Sequence, residues 1–479
     1  MATQDVRGIT IEESPASGPG VIVRRRPGVP VPDWSPRWLA WLVPLFVPTP
    51  GAAPLGWRRV AVAAALVVAG VVASLARTPN VFDVIYVEDG QRFLADAVAR
   101  PFGATLFLPY SGYFQLAPRL LGEFAALAPV SNAAIVLAIE GAVANALLAL
   151  LVYVASAALL RRPLLRLLVS VPVVLTPTAH LDLPNSITML RWPIMYATFW
   201  MLLWVPARRA GQAVGLLVVV IAAFSDNVVP LLIPLVLARW LLRRERYALG
   251  AFLALAVGAV ANLALVVTGA SRHPSLLPRP NPPWAGAEWV LRPAPQAIVG
   301  ERWAALPRPH TIIGVAPIAV GWLVLLGVVF VAWRRLTRPN WLLAGVACAY
   351  SVIIYTFVDM LTGFAIDRYT VPAVLLLLVA VAALVKPGEP AQGIPGVAEP
   401  SRWVNRAPAV VVSLIVLAAC LANLRMLDYR STGPRWSSEV EKARARCASE
   451  QLRTVDVPIS PAHISPIWTA SLPCRYLGA

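Results

Sequence analysis

Two adjacent carboxylates, Glu88 and Asp89, open the polar stretch YVEDGQRFLADAVARPFGATLFLPYSGYFQLAPRLLGE, which separates the first and second long apolar runs of a 479-residue chain. They stand between Tyr86 and Phe93, about ten residues beyond the first run, close to where a bilayer surface would lie. A carboxylate there can take a proton from a sugar or lipid hydroxyl, help worth about 10²–10⁴ in rate. Partial burial would raise its pKa towards the working range. The pair can instead hold a divalent cation together with a phosphate. The plain alternative is a solvated turn in which Asp89 caps a short helix, GQRFLADAVAR.

An anionic substrate would need a fixed cation beside those carboxylates. Arg368, in the step Asp367-Arg368-Tyr369 at the mouth of an apolar run, carries a planar fork that fits a phosphate bidentately, with Asp367 holding it in place. The alternative is an arginine that snorkels to headgroups. Arg119 and Arg191 are further phosphate candidates. Arg119 and Glu123 are four apart, which also reads as a surface ion pair on an amphipathic helix carrying Leu116, Leu120 and Phe124 along the membrane. Tyr86, Asp182, Asp226, Asp367 and Tyr369 are expected to line the same cavity. His180 and Asp182 form a weak His-x-Asp metal signal. Glu140, Asn145 and Asn262 interrupt apolar runs and should face the interior of a bundle, as glue or as chemistry.

The elements that position these residues are membrane spans. The chain is 58% hydrophobic and 14% charged, against roughly 25% charged in soluble domains. Apolar runs near 59–77, 132–160, 164–179, 191–206, 211–225, 228–242, 247–268, 311–333, 340–358, 369–385 and 407–424 predict about eleven transmembrane helices (10–12) in an all-α polytopic fold. Residues 38–47 are too short to span and read as an interfacial helix. The net charge of +17 is not a nucleic-acid signal. Its arginines fall in short clusters between runs, and alternation puts those clusters on one side: Arg24–Arg26 with Arg58 and Arg59, Arg161 with Arg162 and Arg166, Arg208 with Arg209, Arg243 with Arg244 and Arg246, Arg334 with Arg335 and Arg338, and Lys386 with Arg402 and Arg406. The N-terminus is thereby expected in the cytoplasm and the carboxylates on the far face.

Three parts follow: a cytoplasmic segment 1–58 without a cleavable signal, a bundle 59–424 with outer loops 78–131 and 269–310, and a small outer tail 425–479. Loop 269–310 carries Trp284, Trp289 and Trp303, which suit a headgroup belt. Residues 387–406 are a Pro/Gly-rich inner linker. Cys447 and Cys474 lie in the tail, where a disulfide can persist. Cys348 and Cys420 lie within apolar runs.

No P-loop, GxSxG, HExxH or CxxC motif occurs. Many spans, first-loop acids, juxtamembrane helices, an Asp-Arg-Tyr step and an outer tail together resemble the GT-C class of membrane glycosyltransferases, and the chain is also similar to actinobacterial multi-span proteins. The resemblance implies Glu88 or Asp89 as base or metal ligand and a lipid-linked sugar donor, commonly a polyprenyl-phosphate sugar. It also implies a glycan or lipid acceptor and a place in the bacterial plasma membrane. Two other readings stand beside it: a transporter or lipid/oligosaccharide flippase, for which no inverted repeat is visible, and a non-catalytic envelope-assembly protein.

Overall fold

The computed structural model describes residues 37–48, 56–180, 182–271, 278, 280–304, 312–334, 336–363, 366–387, 406–425, 430–462 and 468–478. Arg24–Arg26, most of the linker 387–406 and part of loop 269–310 lie outside them. A 3₁₀ helix, Arg37–Leu45, precedes α1 (Trp57–Leu75). Its three residues per turn put Leu39, Leu42 and Leu45 inward and Trp38 and Trp41 outward. A π-helical segment, Asp89–Leu94, runs into α2 (Ala95–Ala99), followed by α3 (Leu116–Ala125). The next helices are α4 (Ala133–Ala155), α5 (Pro163–Val174), α6 (Arg191–Leu203), α7 (Arg209–Ala223), α8 (Ile233–Arg243) and α9 (Arg246–Val267). Loop 269–310 holds α10 (Pro282–Leu291), α11 (Pro293–Val299) and α12 (Glu301–Ala304). Then come α13 (Ile312–Trp333), α14 (Trp341–Thr362), α15 (Thr370–Leu384) and α16 (Ala407–Ala422).

Every apolar run therefore contains a helix, but the helices divide by length. Among the described residues six are long and apolar enough to cross a membrane: α1, α4, α9, α13, α14 and α15 with its leading turn. The others have 12 (α5), 13 (α6), 15 (α7), 11 (α8) and 16 (α16) residues, short of the roughly 20 that a straight crossing needs. Prolines shorten them. The residues preceding Pro177 and Pro206 are pushed out of the helical region, and Pro230 and Pro234 confine α8 to begin late. α6 beyond Arg191 and all of α15 are buried and form the centre. α1, α9 and α13 instead expose Val60, Leu66, Val257, Leu263, Leu323 and Phe330. Apolar faces of that extent require an apolar surrounding.

At one end of the bundle, side chains tie helix termini to loops. Arg77, just past α1, donates to the Val174 and Thr176 carbonyls (2.7 and 2.9 Å), and Ser74 donates to Asn185 (2.7 Å). The Phe114 amide donates to Asn262 (3.0 Å), and Asn423 beyond α16 accepts from the Arg302 amide (2.7 Å). At the other end Arg243 donates to the Phe46 carbonyl (3.0 Å) and the Arg338 amide to the Lys386 carbonyl (2.9 Å).

Two local expectations fail here. α3 is amphipathic, but its charged side points inward: Arg119 and Glu123 are buried while Phe124 is exposed. Arg119 pairs with Asp96 (2.6 Å), and Glu123 accepts from the Thr105 amide (3.1 Å) and hydroxyl, so the expected Arg119–Glu123 surface pair does not form. Polar groups buried away from water gain by pairing with protein partners. Trp284 and Trp303 are exposed, whereas Trp289 is buried with its indole N–H on Ser351 (3.0 Å) and so lies in no belt.

The tail folds into α17 (Trp436–Glu450), an antiparallel hairpin of β1 (Thr454–Pro458) and β2 (Thr469–Pro473), and α18 (Cys474–Leu477). Val455, Val457, Ala470 and Leu472 alternate inward beneath α17. A Cys447–Cys474 disulfide closes the unit with Cα atoms 5.8 Å apart, a cross-link worth about 3–4 kcal/mol.

Candidate functional site

The site grows from Val87, a β-branched residue at φ +35°. That left-handed conformation costs on the order of 1–3 kcal/mol and persists only where neighbours impose it. Its neighbours do so. Asp89 is 3% exposed, and its Oδ1 accepts from the Ser186 hydroxyl (3.0 Å), the Thr188 amide (2.9 Å) and the Thr188 hydroxyl (2.5 Å). Arg430 stands 3.9 Å from Oδ2. Burial pushes the Asp89 pKa up, with Arg430 and Thr188 opposing. The Tyr86 hydroxyl donates to Asp182, and burial raises its pKa well above the usual phenol value. Both flanks of the turn are thus anchored. Glu88 alone is half-buried and shares no side-chain hydrogen bond with another described residue. Burial pushes its pKa up, while its own amide and Arg368 pull the other way. A helix cap by Asp89 does not form; the carboxylate reaches across to the loop before α6 instead.

Opposite Glu88 stands Arg368, in the 3₁₀ turn Asp367–Tyr369 that begins α15. It contacts Asp182 at 3.4 Å, and its side chain is 31% exposed. Arg191 is held more tightly. It pairs with Asp226 (3.0 Å), donates to the Tyr113 hydroxyl, and lies over the Tyr113 and Trp192 rings (4.9 and 4.3 Å). Trp192 meets Tyr369 edge-on at 5.6 Å. Burial raises the Asp226 pKa against the pull of Arg191. Arg191 therefore fixes an aromatic wall of Tyr113, Trp192 and Tyr369.

Behind this wall lies a second acidic group. Glu301 accepts from the His180 amide (2.9 Å), and Asp367 lies 3.6 Å from Arg292. Burial, then the nearby Asp367 carboxylate, push Glu301 up to about 7. The fold thus favours protonated Glu301, and that contribution is complete below about pH 4.5 and lost as pH rises through about 7. Glu301→Gln keeps an acceptor for His180 and never ionises. It is expected to melt above the wild type at about pH 8 and to show no such gain at about pH 4.5; thermal unfolding of detergent-purified protein at the two pH values checks this, and an equal offset at both would refute it.

Of the residues picked from sequence, Tyr86, Glu88, Asp89, Asp182, Arg191, Asp226, Asp367, Arg368 and Tyr369 converge at this end of the bundle. Arg119 does not: 1% exposed, it is occupied by Asp96 and by the Phe93 ring at 5.3 Å. Glu88 and Asp89 do not fit a divalent cation as a pair, because the Asp89 oxygens already face hydroxyls, an amide and a guanidinium. Among the described residues no three His, Cys, Asp or Glu side chains group as a metal ion would require, His180 and Asp182 included. Glu140 and Asn145 sit within α4 away from this cluster, with Glu140 Oε2 and Asn145 Oδ1 lacking hydrogen-bond partners among the described residues. Sequence reading missed Ser186, Thr188, Tyr113, Trp192, Glu301 and Arg430. Tyr110 and Tyr113 flanking a Ser-Gly turn were a usable signal; Arg430 had none. Comparison with family models and with curated proteins finds no match for the chain.

Proposed function

We propose that the protein is a membrane glycosyltransferase of the GT-C kind, moving a sugar from a lipid-phosphate donor to an acceptor hydroxyl on the extracytoplasmic face. The reading takes all eleven apolar helices as spans, the shorter ones completed by non-helical ends packed against protein. The end that carries the arginine clusters between successive apolar runs then faces the cytoplasm. One observation carries the proposal: of the first-loop pair, Glu88 is the carboxylate that shares no side-chain hydrogen bond with another described residue, and it feels the Arg368 charge from a turn whose other members are tied down. Glu88 takes the acceptor proton as the acceptor oxygen bonds to the anomeric carbon. The bond from that carbon to the phosphate oxygen breaks, and the departing phosphate gathers charge against the Arg368 guanidinium. Asp182 holds Arg368; Asp89 holds the turn.

The test uses purified protein in nanodiscs with a panel of radiolabelled polyprenyl-phosphate sugars, read as label reaching acceptor or water and as lipid retained in native mass spectrometry. Arg368→Gln removes a charge-assisted contact of about 1.5–3 kcal/mol, so retention of the lipid phosphate should fall roughly 10–100-fold. Equal retention by both forms, or no transfer from any donor by the wild type, would sink the reading.

A further inference from the structure

Glu88 shares no side-chain hydrogen bond with another described residue, yet it stands on a turn that cannot hold itself, because Val87 is in the left-handed region. Beyond the anchors on Ser186, Thr188 and Asp182, part of what holds it comes from the far end of the chain. Ser460, just past β1, pairs alongside Tyr86: its amide donates to the Ile85 carbonyl (2.9 Å) and its carbonyl accepts from the Val87 amide (2.8 Å). Arg430 places its guanidinium 4.7 Å from the centre of the Tyr86 ring, donates to the Pro184 carbonyl and lies 3.9 Å from Asp89. It is buried, so it bridges the turn to the loop before α6 from within. The segment is seated independently of these two residues. The Trp436 amide donates to the Asp83 carbonyl (2.7 Å), its indole to Val130 (2.7 Å), and the Ser437 amide to the Asp83 carboxylate (2.8 Å). At Gly433 an added Cβ would come within 2.8 Å of both Ser460 and Val84, so the approach is close enough to exclude a side chain.

We infer that the C-terminal segment completes the site, with Arg430 and Ser460 as positioning residues that clamp the Tyr86–Asp89 turn and so aim Glu88 at the acceptor. The role in catalysis rests on the function proposed above; the clamp does not. A clamp acts on geometry, and misplacement of a reacting group by about 1 Å costs on the order of 10²-fold in rate. Binding of the donor phosphate belongs to Arg368 and is untouched by it.

The experiment compares full-length wild type, Arg430→Gln and Arg430→Lys in nanodiscs, with two readouts. Hydrogen exchange of amides 85–94 reads the clamp directly, with the α15 amides as the control for intact folding. Steady-state transfer reads kcat and KM separately. Arg430→Gln should speed exchange at Val87 and Asp89 about 10-fold or more and lower kcat about 10²-fold with the donor KM nearly unchanged. Arg430→Lys, which keeps the charge beside Asp89 but not the fork, should recover part of both. Unchanged exchange in Arg430→Gln overturns the clamp. Faster exchange with unchanged kcat, or a loss carried by KM, overturns the positioning role. A wild type that transfers no sugar overturns the function proposed above and with it the catalytic role, while exchange still decides the clamp.

Discussion

Glu88→Gln should lower the turnover of sugar transfer by about 10²–10⁴ while the protein folds and retains lipid phosphate as the wild type does. Glutamine matches glutamate in size and replaces a group that combines partial exposure with a pKa raised by burial. No hydrogen bond to another described side chain is lost in the exchange, so stability should hold. Asp89→Asn makes the instructive contrast. An asparagine offers one carbonyl oxygen where the carboxylate now faces two hydroxyls, an amide and Arg430, and its NH₂ would meet Arg430 as donor to donor. Leaving such groups unsatisfied costs about 1–3 kcal/mol, so Asp89→Asn should lose stability and activity together. Kinetics of both variants at matched amounts of folded protein separate the two carboxylates. Full activity in Glu88→Gln would move the base elsewhere; loss of stability without loss of turnover in Asp89→Asn would show that Glu88 is aimed without Asp89.

The second large effect lies at the opposite end of the bundle and concerns the fold. Arg239→Leu should destabilise the protein by about 3–4 kcal/mol. Arg239 is fully buried on α8 and donates to the Leu202 and Trp204 carbonyls (2.8 and 2.7 Å), which close the C-terminus of α6 and have no helical partner of their own. The same guanidinium reaches Glu245 (2.7 Å) and lies 4.8 Å from the centre of the Tyr247 ring. Leucine fills the space and strands two buried carbonyls. Glu245 retains Arg243, which is why the estimate stays at the lower part of the range for broken buried pairs. Thermal and denaturant unfolding of the purified variant is the check, and stability equal to the wild type would show that water satisfies those carbonyls.

Much of this architecture was readable from local chemistry. Long apolar runs bounded by arginines became helices at nearly the expected positions. What hydropathy could not do was tell inside from outside. α1 and the span ending in α15 have similar mean hydropathy, 1.9 and 1.7, yet 6% and 89% of their windows are buried. The physical reason is that lipid is as apolar as a protein core, so composition carries no preference between the two. α3 shows the same blindness, with a pattern that in water would bury Phe124 and expose Arg119.

The order of the chain by itself determined which segments are helical, where the charge clusters fall, and that Glu88 and Asp89 merit chemical interest, because each of these follows from residues within a few turns of one another. Only the tertiary structure decided which of those two carboxylates shares no side-chain hydrogen bond with another described residue, that Arg119 serves Asp96, and that Arg430 and Ser460 reach the Tyr86 turn from more than three hundred residues away. Hydrogen-bond partners are chosen by three-dimensional proximity at a scale of about 3 Å. No local pattern encodes a donor that arrives from the other end of the chain.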